Sequence, residues 1–277
     1  MQPIISVITA SFNAGATIGD TLASVARQTD VDYEHIVVDG ASRDDTMEVV
    51  QRHNHPRLSA VSEPDKGIYD AMNKGIARAT GDYLLFLNAD DYLARPDSLK
   101  LAADAIARSG TDCLFADTRF VAGEGGQPRR QLYSARRFSP WWLRIGAMPP
   151  HPSMFLRRSL MEELGGYDTS YRIAGDFDFI SRAILQHHAT YTTLPMVLTH
   201  FRVGGVSTSG LQSKLTLSRE MARSLQHLGQ PFGHTAVLLR FPLKMAQFAI
   251  FQRKARPLDP PSLPDGQAPL IRRSNRS

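Results

Sequence analysis

Two adjacent aspartates, Asp90 and Asp91, closely follow an apolar run at residues 83–87. Their like charges repel each other, and a cation that offsets this charge would make the pair tolerable at a strand end. Carboxylates are preferred ligands of Mg²⁺ and Mn²⁺, and such a cation often links a protein to substrate phosphates. We therefore expect a divalent cation here, with Asp91 exposed at a strand end; the alternative is an ordinary polar turn.

The turn after the first apolar run, TASFNAGAT, narrows the kind of ligand. It contains neither the G-x-G-x-x-G pattern of dinucleotide-binding proteins nor the G-x-x-x-x-G-K-[ST] pattern of phosphate-binding loops. If a diphosphate binds, its charge must be met in another way, and a cation held by carboxylates is the common substitute.

The elements that would position these acids alternate between strand-like and helix-like patterns. Strand-like runs occupy residues 4–10, 35–40, 58–63 and 82–88, and helix-like segments between them occupy 18–25, 44–51 and 67–80. This alternation predicts an α/β fold with a mainly parallel sheet flanked by helices on both faces. Each run ends in polar residues (Thr9, Asp39, Glu63 and Asn88), so one edge of the sheet should collect the functional groups.

Composition predicts a soluble globular protein, with 277 residues and 42% hydrophobic content. The single cysteine, Cys113, excludes an intramolecular disulfide, and its apolar setting predicts a buried structural thiol. No apolar run reaches the roughly 18 residues needed to cross a bilayer, and no export signal is evident at the N-terminus. We therefore expect a cytoplasmic protein.

The net charge of +5 is concentrated near the C-terminus. From Gly229 onward, eight Lys/Arg and two Asp/Glu give +6, which leaves −1 for residues 1–228 and argues against a nucleic-acid partner. We divide the chain into a main domain (1–228), an amphipathic basic helical extension (229–256) and a disordered tail (257–277). The extension is expected to lie peripherally on the inner membrane or to dock on the main domain.

Four segments in order, SVITASFNA, HIVVDGASRDDT, EPDKGIYDAMNKGIARATGDYLLFLNADD and AGDFDF, resemble the signature of the family 2 glycosyltransferases. The resemblance covers residues 4–209 and is closest to bacterial members that build exopolysaccharide or lipopolysaccharide. It implies a GT-A fold with a Rossmann-like sheet, an inverting mechanism and a Mg²⁺ or Mn²⁺ cofactor. It also implies a UDP- or GDP-sugar donor and a glycan or lipid-linked saccharide acceptor. On this basis residues 1–228 form the catalytic domain.

The resemblance implies roles for the residues at the first strand ends. Thr9, Ala10 and Asp39 would hold the nucleotide base, although Asp39 could instead cap the start of the following helix. Asp65 and Lys66, in EPDKG, would close over the nucleotide and the metal, although this segment also suits a plain surface turn.

The segment NADD corresponds to the family's D-x-D element, with Asn88 in place of the first aspartate. The resemblance implies that Asp90 meets the ribose or the metal and that Asp91 is the direct metal ligand. His200 would add a late contact to the metal or the diphosphate, with a structural role as the alternative. Arg202 would bind the leaving diphosphate.

The catalytic base is implied by AGDFDF, where Gly175 replaces the first acid of the family's E-D-x-D segment. This match makes Asp176 the base and Asp178 its close rival. Asp176 could also be a plain N-cap, because apolar residues follow it at helical spacing.

Aromatic and imidazole groups give further candidates. His151 would lie near the acceptor. Trp141 and Trp142 would stack on sugar rings, belong to the core or anchor the protein at a membrane interface.

Two other functions remain open from the sequence. A sugar-nucleotide pyrophosphorylase would need a glycine-rich loop with a basic residue after the first strand, which TASFNAGAT lacks. A non-catalytic sugar-binding relic of the fold is favoured by the departures at Asn88 and Gly175.

Overall fold

The computed structural model describes residues 5–122, 127–203 and 210–230. The predicted tail at 257–277, and all but the first two residues of the predicted extension at 229–256, lie outside these residues. Within the described ranges, none of the helices is long and apolar enough to cross a membrane.

The first half of the chain forms the predicted parallel sheet. The strands are β1 (Ile5–Ser11), β2 (Tyr33–Asp39), β3 (Leu58–Ser62) and β4 (Tyr83–Phe86), and the helices between them are α1 (Ile18–Ala26), α2 (Thr46–Arg52) and α3 (Ile68–Ile76). The strands lie in the order β3-β2-β1-β4, and all three pairs are parallel. The helical spacing predicted for residues 18–25 is confirmed, because Ile18, Leu22 and Val25 are all buried on one face of α1.

The second half adds mostly antiparallel strands. Its elements are β5 (Tyr92–Leu93), α4 (Ser98–Ser109), β6 (Cys113–Ala122), β7 (Gln127–Tyr133), α5 (Pro140–Leu143), β8 (Met154–Arg157), α6 (Arg158–Glu163), α7 (Gly175–Ser181), β9 (Tyr191–Arg202) and α8 (Gly210–His227). The sheet continues as β4-β8-β6-β9-β5, with β7 on β6. Only β6 and β9 pair in parallel here, so parallel pairing dominates the first half and the described sheet as a whole is mixed.

The core lies on both faces of the sheet, as expected when helices cover each side. Ile8 and Leu84 face the side covered by α3 and α7, whereas their neighbours Val7 and Leu85 face the side covered by α4. The expected buried thiol is confirmed, because Cys113 is fully buried and burial raises its pKa.

The contact between α3 and β1 leaves no space for a side chain at Gly75. A Cβ atom there would lie 2.4 Å from Ile8 Cγ2, whereas a Cβ atom at Gly19 in α1 would lie 3.6 Å from its nearest neighbours. We predict that Gly75→Ala lowers the free energy of unfolding by about 1–3 kcal/mol through overpacking. Gly19→Ala should be neutral or stabilise by up to about 1 kcal/mol, because alanine favours helix.

Urea unfolding of the two variants measures this difference. A Gly75→Ala protein as stable as the Gly19→Ala protein would show that α3 can move away from β1 at little cost.

Candidate active site

The carboxyl ends of β1, β2 and β4 meet at one edge of the sheet. Ile5 is in register with both Tyr33 and Tyr83, and Ser11 at the end of β1 is opposite Asp39 at the end of β2. The segment 87–91 follows β4 at this same edge. The strand-end groups predicted from the sequence are therefore brought together.

The carboxylate of Asp39 is fully buried and is bound by serines from three neighbouring segments. It accepts hydrogen bonds from Ser11 Oγ at 3.1 Å, Ser62 Oγ at 2.7 Å and the backbone N–H of Ser42 at 2.9 Å. Ser42 Oγ donates a fourth bond. Asp39 therefore caps the turn at residues 39–42; it does not cap α2, which begins at Thr46 after Asp45.

The hydroxyl of Thr9 contacts a buried histidine and is not exposed at the edge of the sheet. Thr9 is fully buried, and its Oγ1 lies 2.9 Å from Nε2 of the buried His35. Burial lowers the pKa of His35 to about 3, so this imidazole is neutral. Any contact between Thr9 and a nucleotide must therefore use its backbone.

An exposed aromatic residue lies at the edge where the sequence predicted the nucleotide. Phe12, immediately after β1, is 64% exposed. A Cβ atom at Gly40 would lie 3.4 Å from Phe12 Cδ2 and 2.4 Å from Asp65 Oδ2, so the three residues are neighbours. The sequence analysis did not select Phe12, although a bulky apolar residue in the polar turn TASFNAGAT was the available signal.

The EPDKG segment forms a turn that is held by its own hydrogen bonds. Asp65 Oδ1 accepts from the N–H of Gly67 at 2.8 Å, and the N–H of Lys66 donates to Asp70 Oδ2 at 3.0 Å. Gly67 has a φ of 122°, which favours glycine. The turn lies at the surface, as the alternative interpretation of this segment predicted. Asp65 also lies beside Gly40.

The expectation that Asp91 is exposed is wrong. Asp91 is fully buried, and its carboxylate accepts from the N–H of Arg202 at 3.1 Å and from Asn88 Nδ2 at 3.2 Å. The reason is that β9 pairs with β5 and covers this side chain. Asp90 is only partly buried, so it is the more accessible of the two carboxylates.

Both acids are destabilised in their charged form. Burial raises the pKa of Asp90, and burial together with the Asp90 carboxylate raises the pKa of Asp91 well above its usual range. Arg202 opposes both shifts without cancelling them. A cation bound here would relieve this cost, because it favours the ionised form of both groups.

Two buried polar atoms beside these acids have no hydrogen-bond partner among the described residues. They are Asn88 Oδ1 and Arg202 Nε, although Arg202 Nη2 donates to Asp20 Oδ2 at 2.6 Å. A buried polar atom without a partner costs about 1–3 kcal/mol. A carbonyl oxygen beside carboxylates suits Mg²⁺ or Mn²⁺, and a guanidinium N–H suits a phosphate oxygen. The residues present therefore fit a divalent cation and a diphosphate.

His200 is not gathered with the two aspartates into a metal site. It packs edge-on against Tyr92 with ring centroids 5.0 Å apart, and its pKa is lowered by burial and by Arg119. In the ranges that the structure describes, no group of three His, Cys, Asp or Glu residues is arranged to hold a metal. This packing agrees with the structural role that the sequence analysis gave as the alternative for His200.

The two acids of AGDFDF have different environments. Asp178 is 5% exposed and binds Arg182 Nε at 2.8 Å. Asp176 is partly exposed, and its Oδ1 accepts from Tyr69 Oη at 3.3 Å and from the N–H of Phe177 at 2.8 Å. Because α7 begins at Gly175 after Ala174, Asp176 lies within the first turn and is not the N-cap. Asp176 is therefore the more accessible of these two carboxylates.

The departure at Gly175 has a packing explanation. A Cβ atom at Gly175 would lie 2.8 Å from Cε2 of Tyr69. The Tyr69 ring therefore occupies the space that an acidic side chain would need. Its hydroxyl also donates to the carbonyl of Ile173 at 2.6 Å, which ties α3 to the segment before α7.

His151 lies close to Asp176. Its Nε2 is 3.0 Å from Tyr167 Oη, and its ring stacks on Phe86 with centroids 5.9 Å apart. Burial lowers the pKa of His151, and Asp176 partly opposes this shift, so the two groups are close enough to interact.

The two tryptophans are arranged at the surface. Trp141 is 55% exposed and packs edge-on against Trp142 with centroids 5.4 Å apart. The core alternative for Trp141 is therefore wrong.

A cavity of about 140 Å³ lies beside Tyr69, between the turn at residues 66–70 and the segment 169–172. A larger cavity, of about 370 Å³, lies where β2 and β3 begin, at the opposite edge of the sheet from the acids. Position relative to Asp176 therefore favours the smaller cavity as part of the site.

Residues 6–165 match the family model described as Glycosyl transferase family 2. The chain is 37% identical over 211 residues to an uncharacterized glycosyltransferase of Mycobacterium tuberculosis, covering 74% of this chain and 77% of that one. It is 34% identical over 186 residues to a PGL/p-HBAD biosynthesis glycosyltransferase of the same species, covering 64% and 68%.

Solved structures share the GT-A fold. S. aureus TarS 1-349 in complex with UDP-GlcNAc gives a TM-score of 0.63 at 21% identity, covering 85% of this chain and 69% of that one. The mannosyltransferase PcManGT from Pyrobaculum calidifontis, in complex with GDP-Man and Mn²⁺, gives 0.60 at 20% identity, covering 91% and 83%.

The buried His35 predicts a pH dependence of stability. The unfolded chain binds a proton at this histidine below about pH 6.5, whereas the folded protein does so only near pH 3. Stability contributed by neutral His35 is therefore present above pH 6.5 and is lost as the pH falls, by at most about 1.4 kcal/mol per pH unit.

We predict that His35→Gln flattens the decline in unfolding free energy between pH 7 and pH 5. Asp90 and Asp91 oppose this decline, but they do so in both proteins, so the difference isolates His35. Urea unfolding at several pH values measures it, with the exposed His187→Gln as matched control. A His35→Gln profile parallel to that of the unaltered protein would contradict the prediction.

Proposed function

The chain belongs to glycosyl transferase family 2, and from this premise we propose that it is an inverting, metal-dependent glycosyltransferase. It moves a sugar from a nucleoside diphosphate donor to a hydroxyl of a glycan or lipid-linked acceptor, in the synthesis of a cell-surface polysaccharide. The observation that carries the proposal is the group of Asn88, Asp90 and Arg202. Their unpartnered or destabilised polar atoms, at the edge where ligands bind, fit a cation and a diphosphate.

The donor base is proposed to lie at the ends of β1 and β2. Exposed Phe12 offers a stacking face beside Gly40 and Asp65. Asp39 holds the two strand ends in place through its serine contacts, and Thr9 and Ala10 contribute backbone. The UDP-GlcNAc and GDP-Man complexes of the structural neighbours support a nucleotide-sugar donor without choosing its base. Asp65 and Lys66 are proposed to close over it.

Asp90 is proposed as the direct metal ligand, because it is the accessible carboxylate, with Asn88 Oδ1 beside it. Buried Asp91 would act behind them through its own charge, which revises the order implied by the resemblance. His200 remains a weaker candidate. A bound Mg²⁺ or Mn²⁺ would supply charge that stabilises the departing nucleoside diphosphate. Arg202 would bind a phosphate oxygen through Nε.

Asp176 is proposed as the base. It would take the proton from the acceptor hydroxyl while the new bond forms at the anomeric carbon and the bond to the diphosphate breaks on the opposite face. Tyr69 and the N–H of Phe177 hold its carboxylate in place. The neighbouring cavity of about 140 Å³ is the proposed place for part of the acceptor. His151 is proposed to support Asp176 from the buried side.

The other functions are less well supported. Family membership argues against a pyrophosphorylase. The relic interpretation depended on two departures, and both are compatible with an enzyme: Tyr69 occupies the space at Gly175, and Asn88 still offers an oxygen.

We propose a cytoplasmic protein whose basic segment at 229–256 contacts the inner membrane, where a lipid-linked acceptor would be reached. That segment lies almost entirely outside the described residues.

The metal assignment predicts different effects at the two adjacent acids. Asp90→Asn should lower Mn²⁺-dependent affinity for UDP or GDP at least about tenfold, because an outer-shell ligand change alone costs 10–100-fold. Asp91→Asn should have a smaller effect. Since protonation competes with the metal, the affinity of the unaltered protein should rise with pH as the raised pKa of Asp90 is passed.

Titration calorimetry with and without Mn²⁺ measures these affinities, and Asp104→Asn on α4 is the control. Unchanged Mn²⁺-dependent binding by a folded Asp90→Asn protein would remove the metal assignment.

The base assignment predicts that Asp176→Asn retains donor affinity but loses about 10²- to 10⁴-fold in transfer rate, because the amide cannot accept the proton. Asp178→Asn should instead lower thermal stability, because it breaks the ion pair with Arg182. Transfer assays and thermal melting on both variants separate the roles. Near-normal turnover by Asp176→Asn would place the base elsewhere.

A further inference from the structure

We propose that Glu220, on α8, is a positioning residue for Asp176. Its carboxylate binds the backbone immediately before α7 and so fixes the position of Asp176 in the first turn of that helix. This inference rests on the proposed function. It adds a residue outside the matched range 6–165 and outside every sequence motif considered above.

The contact consists of three hydrogen bonds from consecutive residues. Glu220 Oε1 accepts from the N–H of Arg172, and Oε2 accepts from the N–H groups of Ile173 and Ala174, each at 2.9 Å. Hydrogen bonds to an ionised carboxylate are roughly twice as strong as neutral ones. Ala174 directly precedes α7, so the last bond lies two residues from Asp176.

The same segment is held from its other side by α3. Tyr69 Oη donates to the carbonyl of Ile173 and also reaches Asp176 Oδ1. The peptide groups of Ile173 are therefore fixed through the N–H by α8 and through the C=O by α3. Asp176 touches the residue that makes the second of these contacts.

A second residue of α8 extends the contact along the segment. The guanidinium of Arg223 lies 3.9 Å from the ring centroid of Tyr171, and its Nη2 lies 3.1 Å from Ser170 Oγ. Residues 169–172 also line the cavity beside Tyr69. Through this segment, α8 determines the position of Asp176 and of one side of the cavity proposed for the acceptor.

Positioning of this kind affects rate more than donor binding. A misplacement of about 1 Å at a reacting group can cost on the order of 10²-fold in rate. Among the described residues, the hydrogen bonds of Glu220 go to residues 172–174 and not to the donor groups proposed on β1, β2 and β4, so donor affinity should be independent of it. This separation between rate and donor affinity distinguishes positioning from general loss of structure.

The test uses Glu220→Gln in the full chain. This change replaces one of the two accepting oxygens with an NH₂ group, which cannot accept a hydrogen bond from a backbone N–H. We expect faster amide hydrogen exchange at residues 172–174, a fall in kcat of about 10- to 100-fold and a donor KM within twofold. Glu163→Gln, at an exposed acid on α6, is the matched control and should change neither quantity. Unchanged exchange, or unchanged kcat, would overturn the proposal.

A double variant tests whether Glu220 acts through the base. In the Asp176→Asn background, adding Glu220→Gln should cost little further rate, since residues that act as a unit are not additive. A full additional loss would overturn the proposal. If Glu220→Gln fails to fold, Glu220→Asp, which keeps the charge but retracts it, replaces it in both measurements.

Hydrogen exchange separates a failure of the Glu220 contact from a failure of the proposed function. If the unaltered protein transfers no sugar from UDP- or GDP-sugars, the proposed function fails. The exchange measurement would still decide whether Glu220 holds residues 172–174.

Discussion

The parallel registration of β1 with β2 and β4 is the constraint on which the site depends. Because these three strands pair in register, the segments that follow them emerge at one edge. The serine contacts of Asp39 tie β1, β3 and the turn after β2 together at that edge. Phe12, Gly40 and Asp65 are then neighbours, although they are far apart along the chain, and the acids after β4 follow at the same edge.

The second half of the sheet places charged groups against this edge. β9 pairs with β5 and brings the N–H of Arg202 to Asp91, 111 residues away in sequence. The same pairing buries Asp91 and leaves its charge incompletely offset, whereas a stable apolar core would exclude such a group. These two destabilised carboxylates are the basis of the cation site proposed above.

The first half of the fold could be predicted from local patterns, because strands, helices and turns there alternate with clear periodicity. The strand-end acids could be predicted for the same reason. Burial of Asp91 could not, because it depends on pairing with a strand more than a hundred residues later. The role of Gly175 depends on the Tyr69 ring, and the contact made by Glu220 depends on how α8 packs. These are tertiary effects that leave no local pattern.

The buried state of Cys113 has a practical consequence for following motion in this protein. Its thiol is inaccessible and poorly ionised, so it should not react with maleimide reagents in the folded state. A single thiol introduced at an exposed position such as Lys66 would therefore carry a fluorophore alone, with no need to remove the native cysteine. Any change in the surroundings of the turn at residues 66–70 could then be recorded in solution by fluorescence.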